Sequence, residues 1–328
     1  MTDLIERTRP DFGGEWTTER QQATLAHIAA SPMQRHRGRR WLIGAAAATA
    51  AGAVAVPALL PGWFGTRAAA AELEPVASKV ERRAGLAWGA GQFLHVVTAS
   101  RQTGTVDSDR GPTPIDQAIV IDDWRDPDGW TWSRRRFRTT TEFYVLPPIW
   151  GWMRPGYAAT MPTEPHALDL FLRARVSGSS SQDEAVFAAI GDMLKQEAAP
   201  PALRAAAIRV LGMNPRVAVA VDRDPIGRPA LRATFRDERA RPGVQQSLYI
   251  DPDSGALLGD DTSSVEGEYR AVITQREVVD ALPASIVKKL GTDRVPRDST
   301  GSAEPYTPMP DPTPHPSETY SPAPEPTR

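Results

Sequence analysis

The chain has 328 residues, 41% of them hydrophobic, with 38 Lys plus Arg against 40 Asp plus Glu and a net charge of -2. That balance gives no global attraction for nucleic acid, which is not expected as a partner. The absence of Cys removes disulfides, thiolate metal ligands, Cys nucleophiles and a lipoprotein acylation site together, so any folded domain is held by its apolar core.

Residues 1–40 form a short leader with five acidic residues and seven Arg and only scattered apolar positions such as Leu4, Ile5, Leu25 and Ile28. Such a segment cannot build a core, and two roles fit it: a solvated leader, or a docking peptide for a cytoplasmic regulator. The next 26 residues, Trp41 to Thr66, carry no charge, and Arg35, Arg37, Arg39 and Arg40 crowd their N-terminal flank. An apolar run of about 20 residues matches a bilayer core when helical, and flanking Arg places that side in the cytoplasm. The expectation is a single-pass anchor over 41–63, a cytoplasmic N-terminus and an extracytoplasmic α+β domain over 64–292, with the lipid bilayer as one partner. Arg39-Arg40-Trp41-Leu42-Ile43 also resembles a twin-arginine export signal, and Ala69-Ala70-Ala71 could be cleaved; that alternative likewise puts the domain outside.

Leu73, Val76 and Val80 share one stripe of a helix expected over about 70–83. Gln92 to Thr98 and Gln117 to Asp123 then alternate as strands. Asp126-Pro127-Asp128-Gly129 reads as a turn, with Trp130 to Thr139 as the returning strand. A calcium loop is a poor match there, because its first ligand position is Trp124 and its twelfth Arg135.

Thr163-Glu164-Pro165 starts a helix bearing Leu168, Phe171 and Leu172. Ser181-Gln182-Asp183-Glu184 is a capping box for a second, with Val186, Ile190, Met193 and Leu194 as its stripe. Pro200-Pro201 starts a third, which Gly212 can end. Strands return at Val217 to Val221, Leu231 to Phe235 and Val244 to Ile250. Asp251-Pro252-Asp253-Ser254-Gly255 turns the last of these into Ala256 to Gly259, and Tyr269 to Val279 follows. Period-two patterning with short links predicts an antiparallel, curved sheet with three to four helices. Residues 293–328 hold ten Pro and few large apolar side chains, the composition of a disordered tail.

Met161 to Leu168, Asp183 to Leu194, Pro200 to Ala206 and Tyr249 to Gly255 occur in an order that resembles a family of uncharacterised single-pass membrane proteins of high-GC Gram-positive bacteria, often encoded beside extracytoplasmic-function sigma factors. The resemblance implies envelope regulation and a sigma-factor partner, and assigns no active-site residue. A fainter fold-level resemblance is to lipoprotein-carrier-like, sigma-regulatory periplasmic domains.

No Gly-x-Ser-x-Gly elbow, phosphate loop or dinucleotide fingerprint occurs, and no cofactor is expected. His95 and His166 are the histidines of the expected domain, and neither has a sequence neighbour that suggests zinc or catalysis. Six of nine Trp fall between residues 88 and 152. Trp130, Trp132, Arg134 and Arg136 share one face of a strand, and Trp150 and Trp152 have the same spacing. These six are the candidate ligand-binding residues, offering aromatic area and guanidinium groups to an anionic lipid or envelope polymer. The function expected is a membrane-anchored, non-enzymatic binding or sensor domain. An exported ligand carrier, an envelope-polymer-binding protein and a hydrolase with an unrecognised site are the alternatives.

Overall fold

The structure, a computed structural model, describes residues 63–108, 111–148, 155–177, 179–196 and 199–296. The leader, residues 41–62 of the expected anchor, Trp150, Trp152 and the Pro-rich segment from 297 onward lie outside these residues.

In chain order the elements are α1 (Trp63–Arg82), β1 (Phe93–Ser108), β2 (Gly111–Arg125), β3 (Thr131–Arg136), β4 (Thr141–Leu146), α2 (Pro155–Ala158), α3 (Pro165–Arg173), α4 (Gln182–Gln196), α5 (Pro201–Met213), β5 (Val217–Arg223), β6 (Pro229–Arg236), β7 (Gln245–Ile250), β8 (Leu257–Ser263), β9 (Gly267–Val279) and α6 (Ala284–Leu290). The fold is α+β, as the patterning predicts. No helix among the described residues is long and apolar enough to cross a membrane. Helix α1 begins at Trp63, seven residues before the expected start, and includes Arg67 and the charges from Glu72 to Arg82.

All nine strands belong to one antiparallel sheet in the order β4-β3-β2-β1-β9-β8-β7-β6-β5. Two meanders, β1–β4 and β5–β9, are therefore joined along β1 and β9, which pair from Phe93↔Val279 to Gly104↔Gly267 with a bulge at Val97/Thr98. Helices α2 to α5 lie between the meanders in sequence and cover one face of the sheet. There Leu94 and Val96 of β1, Phe235 of β6, Ile250 of β7 and Ile273 of β9 join Leu73, Val80, Leu168, Ile190 and Ile208 in the main core. Helix α5 is buried on nearly every side from Leu203 to Gly212, which explains its run of Ala.

The turn chemistry carries much of this order. Asp126 Oδ1 accepts from the N–H groups of Asp128 and Trp130, and Asp251 Oδ1 from those of Asp253 and Ser254. A third turn, Asp224-Pro225-Ile226-Gly227, repeats the device, with Asp224 Oδ1 accepting from Ile226 and Arg228. Its Asp-Pro-x-Gly signal is the same as at 126 and went unread, as did β4 and α6. Glu164 caps α3 through the N–H groups of His166 and Ala167. At α4, Ser181 Oγ accepts from Glu184 N and the Glu184 carboxylate reaches back to Ser180 N, one residue earlier than an ideal capping box.

One expectation is corrected by packing. Gly212 lies inside α5, which runs on to Met213. A Cβ there would come within 2.9 Å of Ala70 Cα, so the residue permits the close crossing of α1 and α5.

Helix α6 packs on the opposite face. Leu282, Ile286 and Leu290 bury Trp124, Trp132 and Val145, with Phe93 and Val279 at the margin.

A cavity between helices and sheet as the candidate functional site

At one end of the interface between helices and sheet lies a cavity of about 460 Å³. Its roof is the end of α1 at Val80, the segment Arg83–Leu86 that leaves it, and the start of α5 at Pro201 and Arg204. Its floor is Leu257 and Leu258 of β8 and Ile273 to Arg276 of β9, and the turns at Arg228 and Asp251–Ala256 close the side. Leu86 is 44% exposed at the rim, so an apolar edge faces solvent there.

The wall between Asp251 and Ala256 fits α1 closely. Gly255 has φ +66°, a conformation that disfavours side chains, and a Cβ on it would sit 2.1 Å from Val80 Cγ2. Gly85 brings the connecting segment against Pro201 in the same way, with 3.3 Å between a notional Cβ and the Pro ring.

Three guanidinium groups converge on this wall. Arg204 Nη2 donates to Gly255 O at 3.4 Å, Arg276 Nη2 to Leu257 O at 2.9 Å and Arg228 Nη2 to Leu258 O at 3.0 Å. Arg228 is also paired with the buried Asp224 at 2.6 Å. Burial, followed by the field of Arg276, pushes Arg204 down to about 10. Burial and the nearby Arg228 push Arg276 down to about 10, with Asp251 acting in the other direction. Ala84, Leu86 and Ala256 supply accessible apolar surface beside these charges, over the buried Val80, Leu257 and Ile273. The arrangement can bury an apolar body and give charge-assisted hydrogen bonds to an anionic end. Asp251 lies in the same lining, with its Oδ1 on its own turn and its charge acting on Arg276.

None of these arginines was among the candidates from sequence. Arg204 follows Pro-Pro-Ala-Leu at a helix start and Arg276 alternates within a strand, and each reads locally as a solvated position. Of the six expected residues, four are described, and Trp150 and Trp152 lie outside the described residues. Trp132 is 2% exposed and lies under α6, with Phe93 edge-on to it at 5.5 Å. Trp130 is partly buried against the same cluster. Arg134 and Arg136 converge on Asp122, at 3.2 and 3.1 Å, and the Arg134 guanidinium lies 5.5 Å from the centre of the Trp124 ring. This face is the one opposite the cavity.

His95 does acquire carboxylate neighbours, contrary to the sequence expectation. Its Nε2 lies 3.7 Å from Asp122 Oδ1 and its Nδ1 3.3 Å from Glu277 Oε1, and its ring stacks on Trp124 with centroids 4.6 Å apart. Burial alone would raise the Asp122 carboxyl; the adjacent His95 ring and the charges of Arg134 and Arg136 outweigh it and hold that group below the usual range. The polar partners of His95 among the described residues are the carboxylates of Asp122 and Glu277. Among the described residues, no three His, Cys, Asp or Glu side chains are grouped to hold a metal ion. A smaller recess of about 150 Å³ beside α4 is spanned by the Lys195–Asp260 ion pair at 3.1 Å.

No protein-family model and no curated protein matches the sequence. Three solved structures are similar in part. The lipoprotein LppX of Mycobacterium tuberculosis is 14% identical over 64% of this chain and 95% of its own, with a TM-score of 0.23. LprF of Mycobacterium bovis is 13% identical over 66% and 95%, with a TM-score of 0.27. A domain from Vibrio parahaemolyticus, described as a putative outer membrane lipoprotein-sorting protein domain, is 8% identical over 66% and 96%, with a TM-score of 0.19. Likenesses at this level assign neither a ligand nor a regulatory partner, and no match supports the expected link to sigma factors.

Proposed function

We propose that this protein is a non-catalytic, extracytoplasmic binding domain, held at the membrane by the uncharged run Trp41–Thr66, and that it takes an amphiphilic ligand into the cavity between α1, α5, β8 and β9. The observation that carries the reading is the cavity's composition: Val80, Leu86, Leu257 and Ile273 lie beside Arg204 and Arg276 in a volume of about 460 Å³, within the range of small-ligand sites. Apolar burial there contributes affinity in proportion to area, and the guanidinium groups select charge and orientation. The four Arg before the uncharged run support a cytoplasmic leader and an external domain. The expected ligand class, an anionic amphiphile, is kept, and its seat moves from the Trp130–Arg136 face to the opposite side of the sheet.

A fluorescent long-chain acid titrated into the full-length chain in neutral detergent tests this reading. Saturable binding of one probe per chain is expected. Ala256→Phe, which fills the cavity from its side wall, abolishes that binding while leaving the melting temperature within a few degrees. Absence of saturable binding, or equal binding by a folded Ala256→Phe protein, contradicts the proposal.

A further inference from the structure

We infer that β5, the last strand at one edge of the sheet, pairs antiparallel with β5 of a second copy of this chain about a two-fold axis at Val219, so that two nine-stranded sheets become one.

The edge is open and apolar. Val217-Ala218-Val219-Ala220-Val221 carries no charge and no Pro, Ala218 and Ala220 are exposed, and Val221 is 78% exposed. Such a strand is a template for another, and proteins that avoid edge pairing place charge, Pro or a cover there. At the opposite edge β4 bears Glu142, is followed by Pro147-Pro148 and has α6 packed against it. That edge is guarded, and β5 is not.

The main chain agrees. Arg236 N donates to Arg216 O and Asp224 N to Arg228 O, so the even-numbered residues of β5 bond to β6 and the odd-numbered ones direct their N–H and C=O groups to the open edge. Of these groups, Val217 N is taken by Asn214 O and Arg223 N by Asp222 Oδ1. Pairing about Val219 uses those that are left. Val219 N–H donates to the carbonyl of the same residue in the second copy, and Val221 N–H to the second copy's Val217 carbonyl, each bond being made twice by the symmetry. Pro215, which has no N–H, falls opposite Arg223 and ends the ladder.

The sequence selects this register. Val-Ala-Val-Ala-Val reads the same in both directions, so Val217 faces Val221 and Ala218 faces Ala220, and the flanks set Asp222 opposite Arg216, opposite charges that are both partly exposed. The exposed Val221 side chain is laid against Val217 of the second copy. A two-fold pair of this kind closes on itself, whereas joining β5 to the β4 edge of the next copy would run on without end.

The chain has no Cys, so introduced thiols report the pairing without background. In this register Ala218 and Ala220 form the non-hydrogen-bonded pair, with Cα atoms about 4.5 Å apart and within disulfide range. Full-length Ala218→Cys and Ala220→Cys proteins, mixed in neutral detergent and gently oxidised, are expected to give the mixed disulfide dimer well above either self-linked one. Sedimentation of the unmodified full-length chain is expected to show a monomer–dimer equilibrium. Val221→Pro, which removes an outward N–H and no bond to β6, should weaken that equilibrium at least about tenfold, the factor for two lost main-chain hydrogen bonds. Val221→Lys, which keeps the main chain and sets a charge on the edge, should weaken it too, and melting curves show whether each variant keeps its fold. A monomer at every concentration, a dimer that neither folded variant weakens, an assembly larger than a dimer, or a self-linked Ala220→Cys dimer formed in preference to the mixed one each overturns the proposal.

Discussion

Arg204 on α5 and Arg276 on β9 approach the same cavity wall from the helical layer and from the sheet, and they end on carbonyls two residues apart, Gly255 and Leu257. Burial disfavours the charged form of both guanidinium groups at this helix–sheet boundary.

The first prediction follows from that cost. Burial holds the Arg204 guanidinium down at about 10, so its charged form carries a desolvation cost that its hydrogen bond to Gly255 offsets only in part. Arg204→Met should therefore leave the ligand-free protein unchanged in stability or raise it by about 1 kcal/mol, where most buried substitutions destabilise. Denaturant unfolding checks it, and a loss above about 2 kcal/mol would show that Arg204 is a structural strut.

The close fit of the wall gives a second prediction. Gly255→Ala forces a Cβ against Val80 at a left-handed backbone position, and it should cost about 2 to 4 kcal/mol. Gly212→Leu at the α1–α5 crossing should cost a similar amount, for overpacking alone. Thermal unfolding of each variant measures this; a change under about 0.5 kcal/mol would mean that the wall at Gly255, or the crossing at Gly212, is looser than the 2.1 Å and 2.9 Å approaches indicate.

Acid stability is expected to depend on Asp122. Its carboxyl is held below the ordinary value in the folded protein, so its contribution is present above the unfolded value of about 3.9 and is lost as pH falls through the lower folded value. Asp122→Asn leaves Arg134, Arg136 and His95 without the charge on which they converge, and should cost about 3 kcal/mol at pH 7. In the variant the loss of stability below pH 4 should be shallower. Unfolding free energies measured from pH 7 to pH 2.5 would expose the opposite, an equally steep acid limb in both proteins.

Ligand binding should not sense the other face of the sheet. Arg134→Gln and Trp130→Ala are predicted to change probe affinity less than twofold, because both lie across the sheet from the cavity and beside the α6 cluster. Trp132→Ala should instead destabilise by about 3 to 5 kcal/mol, as a buried aromatic truncation does. A tenfold loss of affinity in Arg134→Gln would return the site to the face first expected.

What was legible in the sequence was local. Period two marked most strands, Asp-Pro turns marked two of the three hairpins that use them, and Glu164 and the Ser181–Glu184 box marked helix starts by the hydrogen bonds they make. Nothing local says that Phe93 will pair with Val279 across the whole domain, and that pairing is what joins the two meanders. The cavity depends on it, since β9 supplies half the floor. The Trp and Arg face looked like a ligand surface because Arg134 shows its partner only through cross-strand register, where it lies opposite Asp122. Arg204 is hidden in the pattern for the converse reason: a helix that is buried on nearly every side has little polar face against which an inward Arg stands out.

The location of the ligand is the point on which the rest depends. An octyl phosphate analogue carrying a diazirine in its tail, photolysed on the full-length chain and mapped by peptide mass spectrometry, tests it most directly. Labelling confined to Val80, Leu86, Leu257 and Ile273, and suppressed by excess octyl phosphate, is the predicted result. Competable labelling at Trp130 or along β3 would place the ligand on the other face of the sheet and contradict the proposal.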